Sequence, residues 1–434
     1  MIRLSYTTII IAFLFCVSAP VWSVEAFPPP EFENPHPLPE TMTPQPRQDV
    51  YEYVDVAVLL AALAVSSYLV LSKRSRRWIF VLMIFCLVYF GFWREGCVCP
   101  IGSIQNVTLA IFDSSYVIPV TTVAFFVLPL VFTLFFGRTF CAAVCPLGAI
   151  QDLVLLRPLS VPKWLEGALR LCAYVYLAAA VLFAATGSAF VICRYDPFVS
   201  FFRLSGSLNI LVFGFCLLLI GIFVGRPYCR FLCPYGVILR QLSRLSKRRV
   251  TITPDECIKC RLCEDSCPFG AIKQPTAEWP AADYKRNKRT LAIMLVLLPV
   301  LVLLGGWAGL TLGPAASRVH ETVRLAERIY AEDAGLVEGT TDASDAFRAT
   351  GTAPTALYSE ASVIRGNIKF GSALAGAFVA LVAGLKLIAL SRRWQTQDYE
   401  ADRAGCVACG RCFEYCPKEH VRLGEKEQGA VNER

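Results

Sequence analysis

The chain has 434 residues, of which 55% are hydrophobic, and its 42 Lys and Arg against 34 Asp and Glu give a formal net charge of +8. Several apolar runs reach the ~20 residues that a helix needs to cross a bilayer, which excludes an ordinary soluble domain. The basic excess indicates membrane topology, because no basic patch interleaved with aromatic residues favours a nucleic acid partner. The composition predicts an α-helical polytopic protein in contact with membrane lipid.

The N-terminal segment predicts export or anchoring. Residues 1–26 combine Arg3, an apolar core and small residues near Ser23 and Ala26, a pattern typical of a secretory signal peptide. An uncleaved membrane anchor is the alternative. The Pro-rich residues 27–50 are then expected to form an extended linker outside the cytoplasm.

Seven apolar stretches after the linker predict membrane spans, and their Lys and Arg clusters predict their direction. These stretches are Tyr53–Leu71, Trp78–Trp93, Val117–Gly137, Leu169–Ile192, Leu208–Gly225, Leu291–Leu312 and Phe370–Leu390. The cytoplasmic ends are marked by basic residues: 73–77, Arg138, Arg226, 244–249 and 392–393. Residues 51–249 are therefore expected to form one membrane domain.

An internal repeat in this domain contains a Cys-x-x-x-Cys-Pro motif twice, each time after a span that ends inside. A spacing of four places both thiols of a motif on one helical face. Two such pairs supply four soft ligands for an iron–sulfur cluster or another thiophilic metal, whereas buried structural cysteine is the alternative. The repeat predicts an inner-face cluster at the CxxxCP site, which consists of Cys141, Cys145, Cys229 and Cys233.

The outer loops of the same repeat carry Cys97, Cys99, Cys193 and Asp196, and the prolines after Cys99 and Asp196 align. Because the outer loops contain three cysteines, disulfide bonds among them would leave one thiol unpaired, and a Cys97–Cys99 bridge would be strained. These four residues therefore predict an outer site with a further iron–sulfur cluster, Asp196 being the fourth ligand. The alternative is that Asp196 caps the turn at Pro197.

Two later runs share the spacing Cys-x-x-Cys-x-x-Cys-x-x-x-Cys-Pro, the ligand pattern of bacterial two-cluster ferredoxins. In such ferredoxins the fourth cysteine of each run ligates the cluster of the other run. Structural zinc, the alternative, is usually bound by CxxC pairs that lie far apart. The spacing predicts two 4Fe-4S clusters, at ferredoxin site 1 (Cys257, Cys260, Cys263, Cys416) and ferredoxin site 2 (Cys406, Cys409, Cys412, Cys267).

An even number of predicted spans separates the two runs, so both are expected in the cytoplasm. Residues 250–288 and 391–434 then form the two halves of one ferredoxin (α+β) domain. Residues 289–390 are expected to form a membrane hairpin that splits this domain and carries an outer, periplasmic segment, 313–369. Within that segment, the helical spacing of Val323, Ala326 and Ile329 predicts a short amphipathic helix.

The positions of the histidines and the absence of catalytic motifs exclude some other cofactors and reactions. The three histidines, His36, His320 and His420, lie outside the predicted spans, which excludes a membrane haem with two histidine ligands. No nucleophile–base set or phosphate loop occurs, so no catalytic residue is assigned and substrate chemistry is expected in partners. The four other cysteines are interpreted as signal-segment or packing residues: Cys16, Cys86, Cys172 and Cys216.

The CxxxCP motifs, the outer Cys97-Val-Cys99-Pro100 pattern and the ferredoxin runs resemble the NosR/NapH-type polyferredoxin family of bacterial inner-membrane proteins. The resemblance covers roughly residues 78–272 and 406–417. It implies a multi-pass protein that transfers electrons to a respiratory or reductive system outside the cytoplasm. NosR carries a flavin-binding domain before its spans, and residues 27–50 are too short for one, so a separate flavoprotein or other carrier is expected.

The sequence therefore predicts an electron-transfer subunit of a multi-subunit oxidoreductase system. It would relay electrons between a cytoplasmic or quinone-linked donor and a periplasmic flavoprotein or reductase. The alternative is a membrane copper reductase or a maturation factor in which the CxxxCP thiols bind and reduce the metal.

Overall fold

The computed structural model describes residues 49–96, 99–159, 161–203, 205–252, 257–276, 281–391 and 396–432. The predicted signal or anchor (1–26), the linker up to residue 48 and Cys97 lie outside the described residues.

The first half of the chain is a set of long helices alternating with short ones. In chain order the helices are α1 (Asp49–Tyr68), α2 (Arg76–Cys86), α3 (Pro100–Phe112), α4 (Val120–Phe136), α5 (Pro146–Leu153), α6 (Lys163–Ala185), α7 (Val191–Tyr195), α8 (Pro197–Arg203), α9 (Leu208–Gly221), α10 (Pro227–Phe231) and α11 (Pro234–Ser243). Segments of π-helix extend α1 and α2 and precede α5: Leu69–Lys73, Leu87–Trp93 and Phe140–Val144.

Five helices are long and apolar enough to cross a membrane, and they match five of the seven predicted spans. They cover Val50–Lys73, Arg76–Trp93, Trp164–Ala185, Lys288–Ser317 and Pro354–Ala389. The other two predicted spans are shorter than the sequence indicated. Helix α4 has 17 residues, and α9 has 14 and is bent by 105° from α8. At 1.5 Å per residue these helices reach about 25 and about 21 Å, less than the ~30 Å hydrocarbon layer.

The second half of the chain combines a long helical hairpin with a small mixed region. Its elements are α12 (Leu262–Asp265), β1 (Ile272–Lys273), α13 (Ala281–Ser317), α14 (Glu321–Asp333), α15 (Asp342–Ala349), α16 (Pro354–Ser391), β2 (Glu400–Ala401), α17 (Arg411–Glu414) and α18 (Pro417–Asn432). Strands β1 and β2 pair antiparallel, with Ile272 opposite Ala401. Each ferredoxin run therefore lies next to one strand of the same two-stranded ladder.

Small residues bring α13 and α16 into close contact. A Cβ atom at Gly305 or Gly376 would clash with the backbone of the other helix, and one at Gly309 with the carbonyl of Ser372. Glycines spaced by four residues let helix backbones approach closely where lipid provides no hydrophobic drive. The predicted limits of the outer segment, 313 and 369, fall inside these two helices, because backbone hydrogen bonding continues where the apolar sequence ends.

The predicted amphipathic helix is confirmed as α14. Its residues Val323, Ala326 and Ile329 are buried against Leu357 and Ala361 of α16. The helix therefore packs onto the end of the hairpin instead of standing apart from it.

Candidate metal centres

Four helices of the membrane domain begin with a proline that directly follows a candidate ligand. These ligands are Cys99 before α3, Cys145 before α5, Asp196 before α8 and Cys233 before α11. All four have an extended backbone, with ψ between 114° and 118°, as expected for a residue before proline. Proline suits the first helical position, and the N-terminus of a helix favours negative charge. The repeated Cys-Pro or Asp-Pro pair thus places a candidate anionic ligand at a helix N-terminus.

The four cysteines of the CxxxCP site come together from two distant parts of the chain and line one cavity. Three of the sulfurs accept hydrogen bonds, that of Cys141 from Nη2 of Arg138 over 3.6 Å. The backbone N–H of Gly236 donates to Sγ of Cys233 over 3.2 Å, and Nε2 of Gln151 donates to Sγ of Cys229 over 3.3 Å. Hydrogen bonds to sulfur are one way in which a protein tunes a thiolate-bound cluster.

At both the CxxxCP site and the outer site, a buried glutamine accepts a hydrogen bond from the backbone of the loop that carries another candidate ligand. Gln151 accepts a hydrogen bond from the backbone N–H of Tyr228, the neighbour of Cys229, at 3.0 Å. Gln105 accepts one from the backbone N–H of Cys193 at 3.3 Å. Both glutamines are fully buried and both follow the frame Pro-x-Gly-x-Ile-Gln. The repeated frame is visible in the sequence, but this role of the two glutamines is apparent only in the structure.

The outer site is partly described, because Cys97 lies outside the described residues. Cys99, Cys193 and Asp196 line a cavity of 290 Å³, together with the ion pair Asp55–Arg94, whose Oδ2 and Nε lie 2.7 Å apart. Asp196 is 3% exposed, and its Oδ1 accepts the backbone N–H of Phe198 at 2.9 Å. Asp196 therefore caps the turn at Pro197, as the alternative interpretation predicts. A ligand role for Asp196 stays a prediction.

The cysteines of the two ferredoxin runs line two cavities, and each cavity also includes the last cysteine of the other run. Cys257, Cys260 and Cys263 line one cavity with Cys416, and Cys406, Cys409 and Cys412 line another with Cys267. The first cavity is the more exposed, because Cys260 faces solvent, whereas Cys409 and Cys412 are buried. Burial raises the pKa of the Cys406 thiol to about 12 and that of Cys263 to about 11, so iron must displace protons when it binds.

The donor sets fit clusters better than single ions. Within the described part of the chain, no group of three or more His, Cys, Asp or Glu side chains is close enough to hold one metal ion. Four thiols around a cavity suit a cluster, since each thiolate binds a different iron. The residues present therefore fit 4Fe-4S groups at ferredoxin sites 1 and 2 and a cluster at the CxxxCP site.

Asp152 joins the membrane domain to the second ferredoxin run. Its carboxylate pairs with Arg76 at 2.9 Å and with Arg226 and Arg411 at 3.5 Å each. Burial alone would raise the pKa of Asp152, but these three guanidinium groups outweigh it and lower the pKa to about 2. Asp152 is therefore a permanently charged centre where three otherwise separate segments meet.

Arg74 makes a second buried connection to the C-terminal ferredoxin segment. Its Nε lies 2.5 Å from Oε1 of Glu419, and its Nη2 donates to the carbonyls of Thr251 and Ile252 at 2.7 and 2.8 Å. Both Arg74 and Glu419 are buried. The basic segment 73–77 was interpreted only as a topology signal, yet it also fixes the position of the ferredoxin segments.

Family comparison identifies the cysteine motifs. Residues 118–170 and 207–253 match a family described as a 4Fe-4S binding domain, and residues 250–273 match a second family with the same description. The first match contains both CxxxCP motifs, and the second contains the first ferredoxin run. The chain carries 4Fe-4S binding domains. With its apolar helices, it is an iron–sulfur protein with transmembrane segments.

Two relatives share parts of this chain. It is 30% identical over 122 residues, 26% of its length, to the proposed electron transport protein YccM of Escherichia coli (strain K12), and this match covers 34% of YccM. It is 32% identical over 125 residues, 27% of its length, to the protein NirI of Paracoccus denitrificans (strain Pd 1222), covering 18% of NirI. The chain therefore matches about a third of YccM and a smaller part of NirI. No solved structure matches it significantly.

Proposed function

We propose that this protein is an electron relay of the bacterial inner membrane, with its ferredoxin segments in the cytoplasm. It connects a cytoplasmic or quinone-linked donor with a periplasmic flavoprotein or respiratory reductase, as a subunit of a larger complex. Bound clusters would accept and donate single electrons, and no covalent bond would form or break. The protein's own residues hold the clusters in order and set their potentials.

The contiguity of the four sites carries this proposal. Ferredoxin sites 1 and 2 draw on neighbouring cysteines of one short segment, Cys416 and Cys412. Phe269 and Val407 border site 2 and also a small cavity that Cys229 of the CxxxCP site borders. The start of α3 lies between the CxxxCP site, which Ile101 lines, and the outer site, which Cys99 lines. This series of sites extends from the ferredoxin segments into the membrane domain.

The placement of the ferredoxin segments supports one orientation. Arg74, Arg76 and Arg226 lie in basic loops that the positive-inside rule assigns to the cytoplasm, and all three contact the ferredoxin segments or the carboxylate that joins them. Both ferredoxin halves therefore belong to the same side as these loops. The outer site then lies nearer the periplasm, where a soluble partner could accept or donate electrons.

Iron and sulfide analysis with EPR of the purified protein under stepwise reduction tests the relay. Two ferredoxin clusters predict about eight irons per chain, and the CxxxCP and outer sites add to that number. The clusters should become reduced at separate potentials and become reoxidised when a periplasmic fraction containing the acceptor is added. A protein with stoichiometric zinc and no acid-labile sulfide would contradict the proposal.

The competing function, reduction of copper, gives a different result in the same preparation. A reductase of copper should turn over added Cu(II) by itself when given an electron donor that does not reduce free Cu(II), with loss of activity in Cys229→Ser. A relay should show only the slow, non-saturable reduction that its exposed clusters cause. Saturable Cu(II) turnover that depends on Cys229 would favour the metal reductase.

A further inference from the structure

Five arginines surround a small cavity between the CxxxCP site and ferredoxin site 2. We call this group the arginine cage; it consists of Arg138, Arg170, Arg226, Arg230 and Arg240. The remaining lining includes Cys229 from the CxxxCP site and Val407 from the second ferredoxin run. The cage therefore contacts both flanking sites.

The positive charge of the cage exceeds what its carboxylate partners balance. Glu166 pairs with Arg170 and, at 2.7 Å, with Arg230. Asp152 pairs with Arg226, but it also forms ion pairs with Arg76 and Arg411, which lie outside the cage. Arg138 and Arg240 form no ion pair with any residue that the structure describes.

The hydrogen bonding of the cage is also incomplete. The Nε atoms of four cage arginines are buried and have no hydrogen-bond partner among the described residues: Arg138, Arg170, Arg226 and Arg240. Burial and the neighbouring Arg170 and Arg138 lower the pKa of Arg240 to about 9. Buried guanidinium groups without counter-charges are costly, so this region needs negative charge from elsewhere.

The two flanking sites supply negative charge once they hold clusters. Four thiolates around a 4Fe-4S core leave a net negative charge, which grows by one when the cluster takes up an electron. A fixed positive charge nearby stabilises the reduced form more than the oxidised form, most strongly where water is excluded. Among the described residues that line ferredoxin site 1, the two cations, Arg261 and Lys418, are both exposed, and the side chain of Arg261 is 65% exposed, so their charges are solvated.

We propose that the arginine cage raises the midpoint potentials of the CxxxCP cluster and of the site 2 cluster relative to the cluster at site 1. This inference rests on the proposed function, and it adds a downhill step for electrons that enter at site 1. Transfer of one electron from a cluster bound at site 1 to a cluster bound at site 2 would oxidise the first and reduce the second. No proton or covalent bond needs to move.

Arg240 gives the cleanest test, because its side chain has no ion pair to break. Arg240→Gln removes the charge, Arg240→Lys retains it, and Arg261→Gln is the exposed control. In anaerobic dithionite titrations followed by EPR, we expect Arg240→Gln to lower the ratio of reduced to oxidised cluster about tenfold at a fixed potential. This corresponds to about 59 mV for one electron. The effect should appear at the CxxxCP and site 2 clusters, and Arg240→Lys should restore most of the shift.

Several results would overturn the inference. They are unchanged potentials in Arg240→Gln with normal iron content, an equal shift in Arg240→Lys, or an equal shift of the site 1 cluster. If Arg240→Gln loses iron, Arg170→Gln replaces it, because Glu166 keeps Arg230 as a partner. A wild-type protein without clusters would instead refute the proposed function, so the two failures are distinguishable.

Discussion

Gln151 donates a hydrogen bond from its side-chain amide to the sulfur of Cys229, although 78 positions separate them in the chain. The same amide group accepts the backbone N–H of Tyr228, so one buried side chain fixes both the loop and the thiol. In the outer site, Gln105 accepts the backbone N–H of Cys193. In both sites, therefore, a buried glutamine accepts a backbone N–H of the loop that carries a candidate ligand.

Replacing each of these two glutamines should affect the cluster of only one site. Gln151→Leu leaves a buried N–H without an acceptor, at a cost of about 1–3 kcal/mol, and removes one hydrogen bond to sulfur. We expect loss or a changed potential of the CxxxCP cluster alone, measured by iron content and EPR. Gln105→Leu should affect the outer cluster and spare the CxxxCP cluster. Identical effects of both variants on both clusters would contradict separate roles.

Crossed ligation predicts that Cys267 binds the cluster of the second ferredoxin run. Cys267→Ser should damage the site 2 cluster while site 1 keeps its EPR signal, because Cys267 lines the cavity of Cys406, Cys409 and Cys412. Cys172→Ser, at an exposed position of α6, is the control and should change neither signal. Deleting the chain from Asp402 onward should remove both ferredoxin clusters, since Cys416 belongs to site 1. A truncated protein with one normal cubane spectrum would rule out the crossing.

Asp196 offers a test of the outer site. Its Oδ1 caps α8 and its Oδ2 accepts the hydroxyl of Tyr228 at 3.4 Å. If the carboxylate also binds iron, Asp196→Ala should make the outer cluster labile. Asp196→Cys should keep that cluster and lower its potential, because thiolate donates more strongly than carboxylate. Unchanged iron content and EPR in both Asp196→Asn and Asp196→Ala would leave Asp196 with the capping role only.

The hairpin contact depends on the absence of a side chain at Gly309. Gly309→Ala would force the added methyl group into the carbonyl of Ser372 and push α13 and α16 apart. Such overpacking typically costs about 1–3 kcal/mol. Because the two helices bring the strands β1 and β2 together, the thermal stability of the purified protein and both ferredoxin signals should fall. Gly366→Ala in α16 is the matched control, since nothing lies within 4 Å of its Cβ position, and it should have no such effect.

Reporter fusions test the orientation of the chain. The basic loops predict a cytoplasmic location wherever a span is followed by Lys and Arg. Fusions after Arg77, Arg157, Arg249 and Arg393 should report the cytoplasm, and fusions near Asp113 and Thr340 the outside. Opposite locations for the fusions after Arg249 and Arg393 would exclude a single ferredoxin domain divided by a hairpin.

The spacing of cysteines along the chain is enough to identify this protein as an iron–sulfur protein. Cysteine spacing within a run is fixed by the short loop that must reach several irons, so the ferredoxin pattern is visible without any fold. Span length and the Lys and Arg bias are also local, which is why five long helices were predicted correctly. The shortness of α4 and α9 was not visible, because apolar sequence does not show where a neighbouring bend ends a helix.

Only the tertiary structure decided which distant residues share a site. Nothing in the local sequence shows that Arg76, Arg226 and Arg411 meet on Asp152, or that Arg240 and Cys229 line the same cavity. Basic residues near a membrane surface carry the same topology signal whether they are solvated or buried, and the two cases differ only in what packs around them. The candidate ligands are recognisable from the spacing of residues along the chain, whereas the charges that surround them depend on long-range packing.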